Sequence, residues 1–385
     1  MKVVIIDHEP YSEGRKKSYF IEEFQSNNIA VEFWDLSKAT AYSKAVAYSH
    51  GQDSDFVSKL QDIDSAVSLI NKIDGHHTIV ICEILLTAST LPIFQALYKN
   101  SIKWVKFHYY LNPTNILESI GKTHIQAFKL LQPKKLVSKF RSLLFKRHDH
   151  LSIPDIAFVT GADRNNLKAK RIVSIDYFDV GIFKNMEQKA GADKVAEPPY
   201  IVFLDIMLPY HPDFKMWGIQ SVSSDVYFHK MNSFFSLLEK EMKMPVVIAA
   251  HPKSNYTDEY GGRKTFRNKT AELIVHSNLV LTHGSFSISF ALMAEKPLVY
   301  LYFDAFKEIR HLNRYWERMN NAGEMLDARV INIDAYSEDS VYPDTINKQK
   351  YNEFLHRVYL KEGNIGKSNF EVVFTEFKNL LKEEL

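Results

Sequence analysis

The sequence predicts an α/β chain built as two parallel-sheet domains. Three observations carry this expectation. Apolar, β-branched runs alternate with helix-period segments through both halves. The alternation is interrupted by a polar stretch at 186–199, "MEQKAGADKVAEPP". The length of 385 residues is also great for one core.

The first half opens on "KVVIID" (2–7), a strand, then "SYFIEEFQSN" (18–27), a helix, and "IAVEFWD" (29–35), a second strand. A helical stretch over 55–73 leads to the strand "HTIVICE" (77–83), a helix over 90–99 and the strand "KWVKFHY" (103–109). "PDIAFVTG" (154–161) and "KRIVSIDYFD" (170–179) complete the half. Strands alternating with helices favour a parallel sheet covered on both faces. The polar stretch carries Gly191 and the pair Pro198-Pro199, and reads as an interdomain linker. This gives a first domain over 1–185, a linker at 186–199 and a second domain over 200–385.

The second half restarts the pattern. "YIVFLD" (200–205) is a strand, and "VYFHKMNSFFSLLEKEM" (226–242) an amphipathic helix. "PVVIAA" (245–250) is a strand and "TAELIVHS" (270–277) a helix. "NLVLTHG" (278–284), "SFSISFALMAE" (285–295) and "KPLVYLYFD" (296–304) follow as strand, helix and strand. The tail from 368 is a last amphipathic helix, free to pack back on the first domain. Ligands of such sheets bind beyond the carboxyl ends of the strands, and a cleft between the domains is the expected place.

Bulk properties narrow the function. Formal charge is +2, without the broad basic excess of a nucleic-acid binder. Apolar residues make up 45% and charged residues 24%, which argues against long disorder. The single cysteine, Cys82, excludes an intrachain disulfide and cysteine-rich zinc sites, and fits a reducing cytoplasm. The apolar run at the N-terminus is too short for a signal peptide, and no run is long enough to span a membrane. His76-His77 and His148-Asp149-His150 lack the i, i+4 spacing of a helical zinc motif, so no metal site is expected. GxxxxGK[ST], GxGxxG and GxSxG are all absent, which disfavours triphosphate hydrolysis, dinucleotide redox chemistry and serine hydrolysis.

Three strand exits in the second half are polar. Asp205 closes "IVFLD" and is either a turn residue or a general base facing the cleft, with His211 and Asp213 shaping the loop beside it. His251, Pro252, Lys253 and Ser254 follow "VVIAA". The proline fixes the chain's exit direction, and the histidine and lysine offer donors suited to a phosphate. Thr282, His283, Gly284, Ser285 and Ser287 sit at a strand-to-helix junction. There Gly284 permits a tight turn and Ser285 is a candidate N-cap, whose helix start suits a phosphate. In the first half Glu83, Thr160 and Gly161 are strand-exit residues, turn formers or cleft lining.

The order acidic exit, His-Pro, serine turn, with "SNLVLTHGSFSISFALMAEKPLVYL" after it, resembles the donor domain of bacterial GT-B glycosyltransferases. The capsule and lipopolysaccharide enzymes that use CMP-activated acidic sugars (sialyl, polysialyl, Kdo and pseudaminic types) are the most similar group. The resemblance spans roughly residues 200–304 and departs at "LDIML", where those enzymes carry a doubled carboxylate followed by glycine. It implies two Rossmann-like domains, with His251 and the serine turn on the CMP phosphate and Asp205 as base. It also implies inverting transfer without a metal or other cofactor, from a nucleotide-sugar donor to a surface-glycan or lipid-linked acceptor. The basic, amphipathic segment 125–147 is either a solvated helix face or a peripheral contact with the inner face of the cytoplasmic membrane. Rival readings are a CDP-alditol phosphotransferase of teichoic-acid type, a UDP-sugar enzyme or epimerase with Asp304 or Glu308 on the ribose, and a catalytically inactive sugar-nucleotide binder.

Overall fold

The computed structural model describes residues 1–40, 52–109, 148–161, 167–188, 195–211, 221–336, 345–364 and 366–382. Segment 125–147, Asp213 and residues 189–194 of the expected linker lie outside the described residues. The chain divides into two compact units, residues 1–176 with 361–385, and residues 177–360.

The first unit holds seven parallel strands: β1 (Lys2–Asp7), β2 (Ala30–Asp35), β3 (Val57–Lys59), β4 (Thr78–Cys82), β5 (Lys103–His108), β6 (Ile156–Thr160) and β7 (Arg171–Ile175). Their spatial order is β3-β2-β1-β4-β5-β6-β7. β1 lies between β2 and β4, with Ile5 opposite both Phe33 and Ile81. Val and Ile side chains of β1 and β4 are buried on both faces, which is why these runs read as continuous rather than alternating.

Two expected helices differ. In place of one helix over 18–27 the chain forms two short ones, Glu13–Ser18 before that stretch and Ile21–Ser26 within it, broken at Phe20, whose φ is 55°. The break lets the buried Tyr19 hydroxyl donate to Asp7 Oδ2 at 2.8 Å. The expected helix 55–73 splits into β3 and the helix Ile63–Ile70, whose start is capped by Asp62 accepting from the Ser65 N–H. The final helix Asn369–Lys382 belongs to this unit, with Val372, Val373, Phe377 and Leu380 buried and Phe377 stacked on Phe24.

The second unit starts at Tyr177, earlier than position 200, because a helix follows β7 directly over Phe178–Gln188. Its six parallel strands are β8 (Ile201–Leu204), β9 (Val246–Ala250), β10 (Thr265–Arg267), β11 (Leu279–Thr282), β12 (Leu298–Tyr302) and β13 (Arg329–Asn332). Their order is β10-β9-β8-β11-β12-β13. The helix Ser224–Met242 buries Tyr227, Phe228, Met231, Phe234, Phe235 and Leu238, the stripe its periodicity predicts.

β10, β13 and the helices Arg310–Leu326 and Lys348–Val358 add to the expected elements. Arg310–Leu326 is polar overall, but Leu312, Met319, Ala322 and Leu326 are buried at helical spacing. Gly323 on this helix lies so close to β13 that a Cβ there would sit 2.5 Å from Val330 Cγ2.

Candidate functional site

In the second unit β8 comes first in the chain, β9 and β10 extend the sheet to one side, and β11 to β13 extend it to the other. The strand order therefore reverses between β8 and β11. In parallel sheets a ligand crevice opens at this reversal, beyond the carboxyl ends. The three polar exits lie on β9, β8 and β11, which are adjacent strands.

Asp205 stands at the centre and is 4% exposed. Its Oδ1 accepts from the Met207 N–H at 2.8 Å and the Tyr260 hydroxyl at 2.9 Å. Its Oδ2 accepts from the His251 N–H at 3.1 Å and the Tyr256 hydroxyl at 2.8 Å. Burial pushes this carboxyl up, and the four hydrogen bonds, from His251 first, pull it down. The two phenols are pushed up by burial and by the Asp205 charge, so they remain donors. A general base facing solvent is not what this geometry provides. Both oxygens are engaged, and the carboxylate instead ties the β8 exit to the His-Pro loop.

That loop presents His251. Its Nδ1 accepts from the Lys253 N–H at 3.2 Å. A neutral imidazole that accepts at Nδ1 carries its proton on Nε2. Burial first, then His211 and Lys253, push the ring down to about 4, so it is neutral at pH 7. The His211 ring lies 5.6 Å away, centroid to centroid. Nε2 makes no hydrogen bond among the described residues, and the side chain is half-buried. Pro252 and Lys253 are exposed. Ser254 is buried: its N–H and its hydroxyl both donate to the His251 carbonyl, at 2.9 and 2.7 Å, and close the turn from beneath. Its own carbonyl accepts from Arg267 Nη1 at the end of β10.

The β11 exit differs from the expected helix cap. The helix spans only Ile288–Met293, with Ser287 at its N-cap and no side-chain cap. Ser285 Oγ accepts from the Ser287 N–H at 3.3 Å instead. Thr282 is fully buried, and its Oγ1 accepts from the N–H groups of Gly284 and Ser285 at 3.0 and 2.9 Å. Those two amides are therefore already satisfied. Gly284 has a φ of 98°, a conformation that only glycine adopts without strain.

His283 is also fully buried. Its Nδ1–H donates to the Leu301 carbonyl at 2.6 Å, and its ring packs against Phe203, Tyr227 and Phe306. Burial pushes it down to about 4. Its Nε2 is buried without a hydrogen-bond partner among the described residues. The part of the turn that reaches the surface is Gly284, Ser285, Phe286 and Ser287.

Asp304 and Glu308 lie farther along the same edge, beyond β12, and both are exposed. Asp304 Oδ1 accepts from Asn332 Nδ2 at 2.8 Å, which ties the β12 exit to the end of β13. In the first unit Thr160 is buried, donates to the Tyr109 carbonyl and is followed by Gly161 with a φ of 69°, so the pair forms a turn. Glu83 is half-buried at the β4 exit, with Oε1 accepting from the Phe107 N–H at 2.7 Å.

Tyr256 and Tyr260 were not singled out by sequence. Their only signal is the i, i+4 pair in "NYTDEY", which follows the His-Pro loop. A depression of about 350 Å³ borders them, also lined by Ser254, Arg263 and Arg267. A larger one, about 480 Å³, is lined by Asp327, Ala328 and Arg329 at the amino end of β13, the opposite edge of the sheet from these exits. Among the described residues no cluster of His, Cys, Asp or Glu could hold a metal ion, and no helix is long and apolar enough to cross a membrane.

No family model and no curated protein matches the chain. Solved structures do. A wall teichoic acid polymerase TagF variant aligns over 100% of this chain and 90% of its own, at TM-score 0.51 and 12% identity. The Arabidopsis thaliana UGT89C1 complexed with quercetin aligns over 99% of each chain, at TM-score 0.49 and 11% identity. The Methanocaldococcus jannaschii UDP-GlcNAc 2-epimerase covers 99% of this chain and 100% of its own, at TM-score 0.46 and 11% identity. With its seven- and six-stranded parallel sheets, the chain has the two-unit Rossmann-like α/β fold of the GT-B class.

Proposed function

We propose that the chain is a glycosyltransferase that moves an acidic, nonulosonic-type sugar from a CMP donor to a glycan hydroxyl. One observation carries the reading: His251, neutral and with its N–H at Nε2, stands at the exit of β9, one strand from the order reversal between β8 and β11, held by Asp205 at the β8 exit. Breaking a CMP–sugar bond leaves negative charge on one phosphate. A donor fixed before the charge develops stabilises it at little reorganisation cost. His251 Nε2–H supplies that donor, the exposed Lys253 adds positive charge, and the surface of the 284–287 turn forms the facing wall. Asp205 serves as a positioning residue. It fixes the backbone of His251 and does not touch the acceptor.

The order of the three exits, and their resemblance to CMP-sugar enzymes, support the donor class. The same set fits a second reading, phosphotransfer from a CDP-alditol, and a wall teichoic acid polymerase shares the fold. In that case the phosphate leaves with the transferred group. Thermal melts with CMP, CDP, UDP and GDP compounds test the donor. A ligand at a hundred times its dissociation constant adds about 2.7 kcal/mol. Stabilisation by CMP is expected, and a preference for UDP overturns the donor assignment. Product mass separates glycosyl transfer from phosphoalditol transfer.

A further inference from the structure

Among the described residues, the buried side-chain polar atoms without a hydrogen-bond partner are Tyr227 Oη, His283 Nε2, Tyr300 Oη and Trp316 Nε1. Two of them belong to neighbouring rings of the second unit. The Tyr227 and His283 centroids lie 5.7 Å apart, and both residues are fully buried. Phe303 packs against both rings, and Phe203 and Phe306 pack against the imidazole. In so apolar a setting an unpaired polar atom is costly, and native proteins rarely keep one.

The two atoms are chemically complementary. His283 donates from Nδ1 to the Leu301 carbonyl, so its neutral ring carries a lone pair at Nε2. Burial pushes the ring down to about 4, which keeps it neutral. Burial and then the Asp205 charge push the Tyr227 phenol well up, so it keeps its proton. Tyr260 also acts on Tyr227, but directs its own hydroxyl proton at Asp205 Oδ1. The Tyr227 proton is therefore free to serve the lone pair of His283.

The two residues stand behind the two sides of the site. Tyr227 lies on the helix Ser224–Met242 beside Phe228. The Phe228 ring packs at 5.8 and 5.2 Å against Tyr256 and Tyr260, the phenols that hold Asp205. Asp205 in turn holds the His251 N–H. His283 sits between Gly284 and Thr282, whose Oγ1 accepts from the amides of the turn. A link from Tyr227 to His283 thus joins the support of the His-Pro loop to the root of the β11 turn.

We propose that Tyr227 and His283 form a buried donor–acceptor pair, Tyr227 O–H to His283 Nε2, that positions the β11 turn against the His-Pro loop. The proposal rests on the nucleotide-site reading above. Neither residue reaches the surface, so both are positioning residues and neither touches the ligand.

The test is a double-mutant cycle of Tyr227→Phe and His283→Asn. Phenylalanine fills the same space without the hydroxyl. Asparagine keeps an N–H for the Leu301 carbonyl and has no atom at the Nε2 position. Each single variant should weaken CMP binding by about two- to tenfold, the worth of one hydrogen bond. The loss of transfer should fall on the donor KM and not on kcat. The double variant should bind CMP about as well as the weaker single, because removal of both partners leaves no orphan. Nitrogen NMR of isotope-labelled histidine gives a readout that needs only Y227F to fold: the His283 Nε2 resonance should move and that of Nδ1 should stay. Losses that add, single variants that bind CMP as wild type although they melt earlier, or an unmoved Nε2 resonance overturn the proposal. Wild type that CMP does not stabilise overturns the nucleotide reading, and the positioning role with it; a non-additive cycle in melting temperature then marks the failure as the nucleotide's and not the pair's.

Discussion

Asp205→Asn separates positioning from proton transfer. The carboxylate is 4% exposed and accepts four hydrogen bonds, two on each oxygen, one from a backbone N–H and one from a phenol. Asparagine replaces one oxygen by an NH2 group. The phenol on that side can turn and accept, but the backbone N–H of Met207 or His251 cannot. A buried N–H left unpaired costs about 1–3 kcal/mol. The two bonds that remain lose their charge assistance. Release of a buried charge works against these losses, since burial already pushes Asp205 up. The net is a loss of about 2–3 kcal/mol, or about 4–12 °C in the melting temperature of a domain this size. Calorimetry of D205N reads it directly. Nucleotide stabilisation should weaken with it, because the anchor of His251 loosens, and residual transfer should survive. A variant with wild-type melting and nucleotide binding but no transfer would refute the reasoning and return Asp205 to the role of base.

His251→Ala keeps the backbone N–H that Asp205 holds, so melting should change little while transfer falls about 10²–10³-fold; near-wild-type turnover would sink the phosphate role. Asp179 is buried with the Ser289 hydroxyl as its hydrogen-bond partner, and burial pushes it up to about 7. The unfolded chain then loses this proton near pH 4 and the folded protein near pH 7, so stability should fall as pH rises through that window, by up to about 4 kcal/mol, and flatten above it. Asp179→Asn keeps an acceptor for Ser289 and should abolish that slope in melts from pH 4 to 8; an unchanged slope assigns it elsewhere. Gly323→Ala should lower the melting temperature although alanine is the better helix former, because its Cβ would lie 2.5 Å from Val330 Cγ2 and 3.0 Å from the Ala328 carbonyl; overpacking of this kind costs about 1–3 kcal/mol, and a rise in melting temperature would count against the contact.

Most strands were legible because β1, β4, β6, β8, β9 and β11 are runs of branched apolar residues bounded by polar exits. β10 and β13 were not, because "TFR" and "RVIN" are short and only partly buried. Arg310–Leu326 hides four buried positions in a polar sequence. At the site, the His-Pro exit could be read because a proline after a buried strand is informative by itself. The role of Asp205 could not, since two of its donors come from Tyr256 and Tyr260, 51 and 55 residues away. Ser285 had the composition of a cap, but Thr282 had already taken its amide along with that of Gly284. His283 looked like a ligand because histidines at strand exits usually meet solvent, yet its ring turns inward to the Leu301 carbonyl.

The return of Asn369–Lys382 to the first unit bears on how the protein is made. Residues 1–176 leave the ribosome before 177–360 but lack the helix that covers Phe24 and Phe158 and supplies Glu376 to Arg171. That helix is translated only after all of 177–360. The second unit is a contiguous segment and can close while synthesis continues. The first must wait, with aromatic surface uncovered, for the last stretch of its own core. Early termination near residue 360 would therefore damage the unit whose strands were translated before the second unit began.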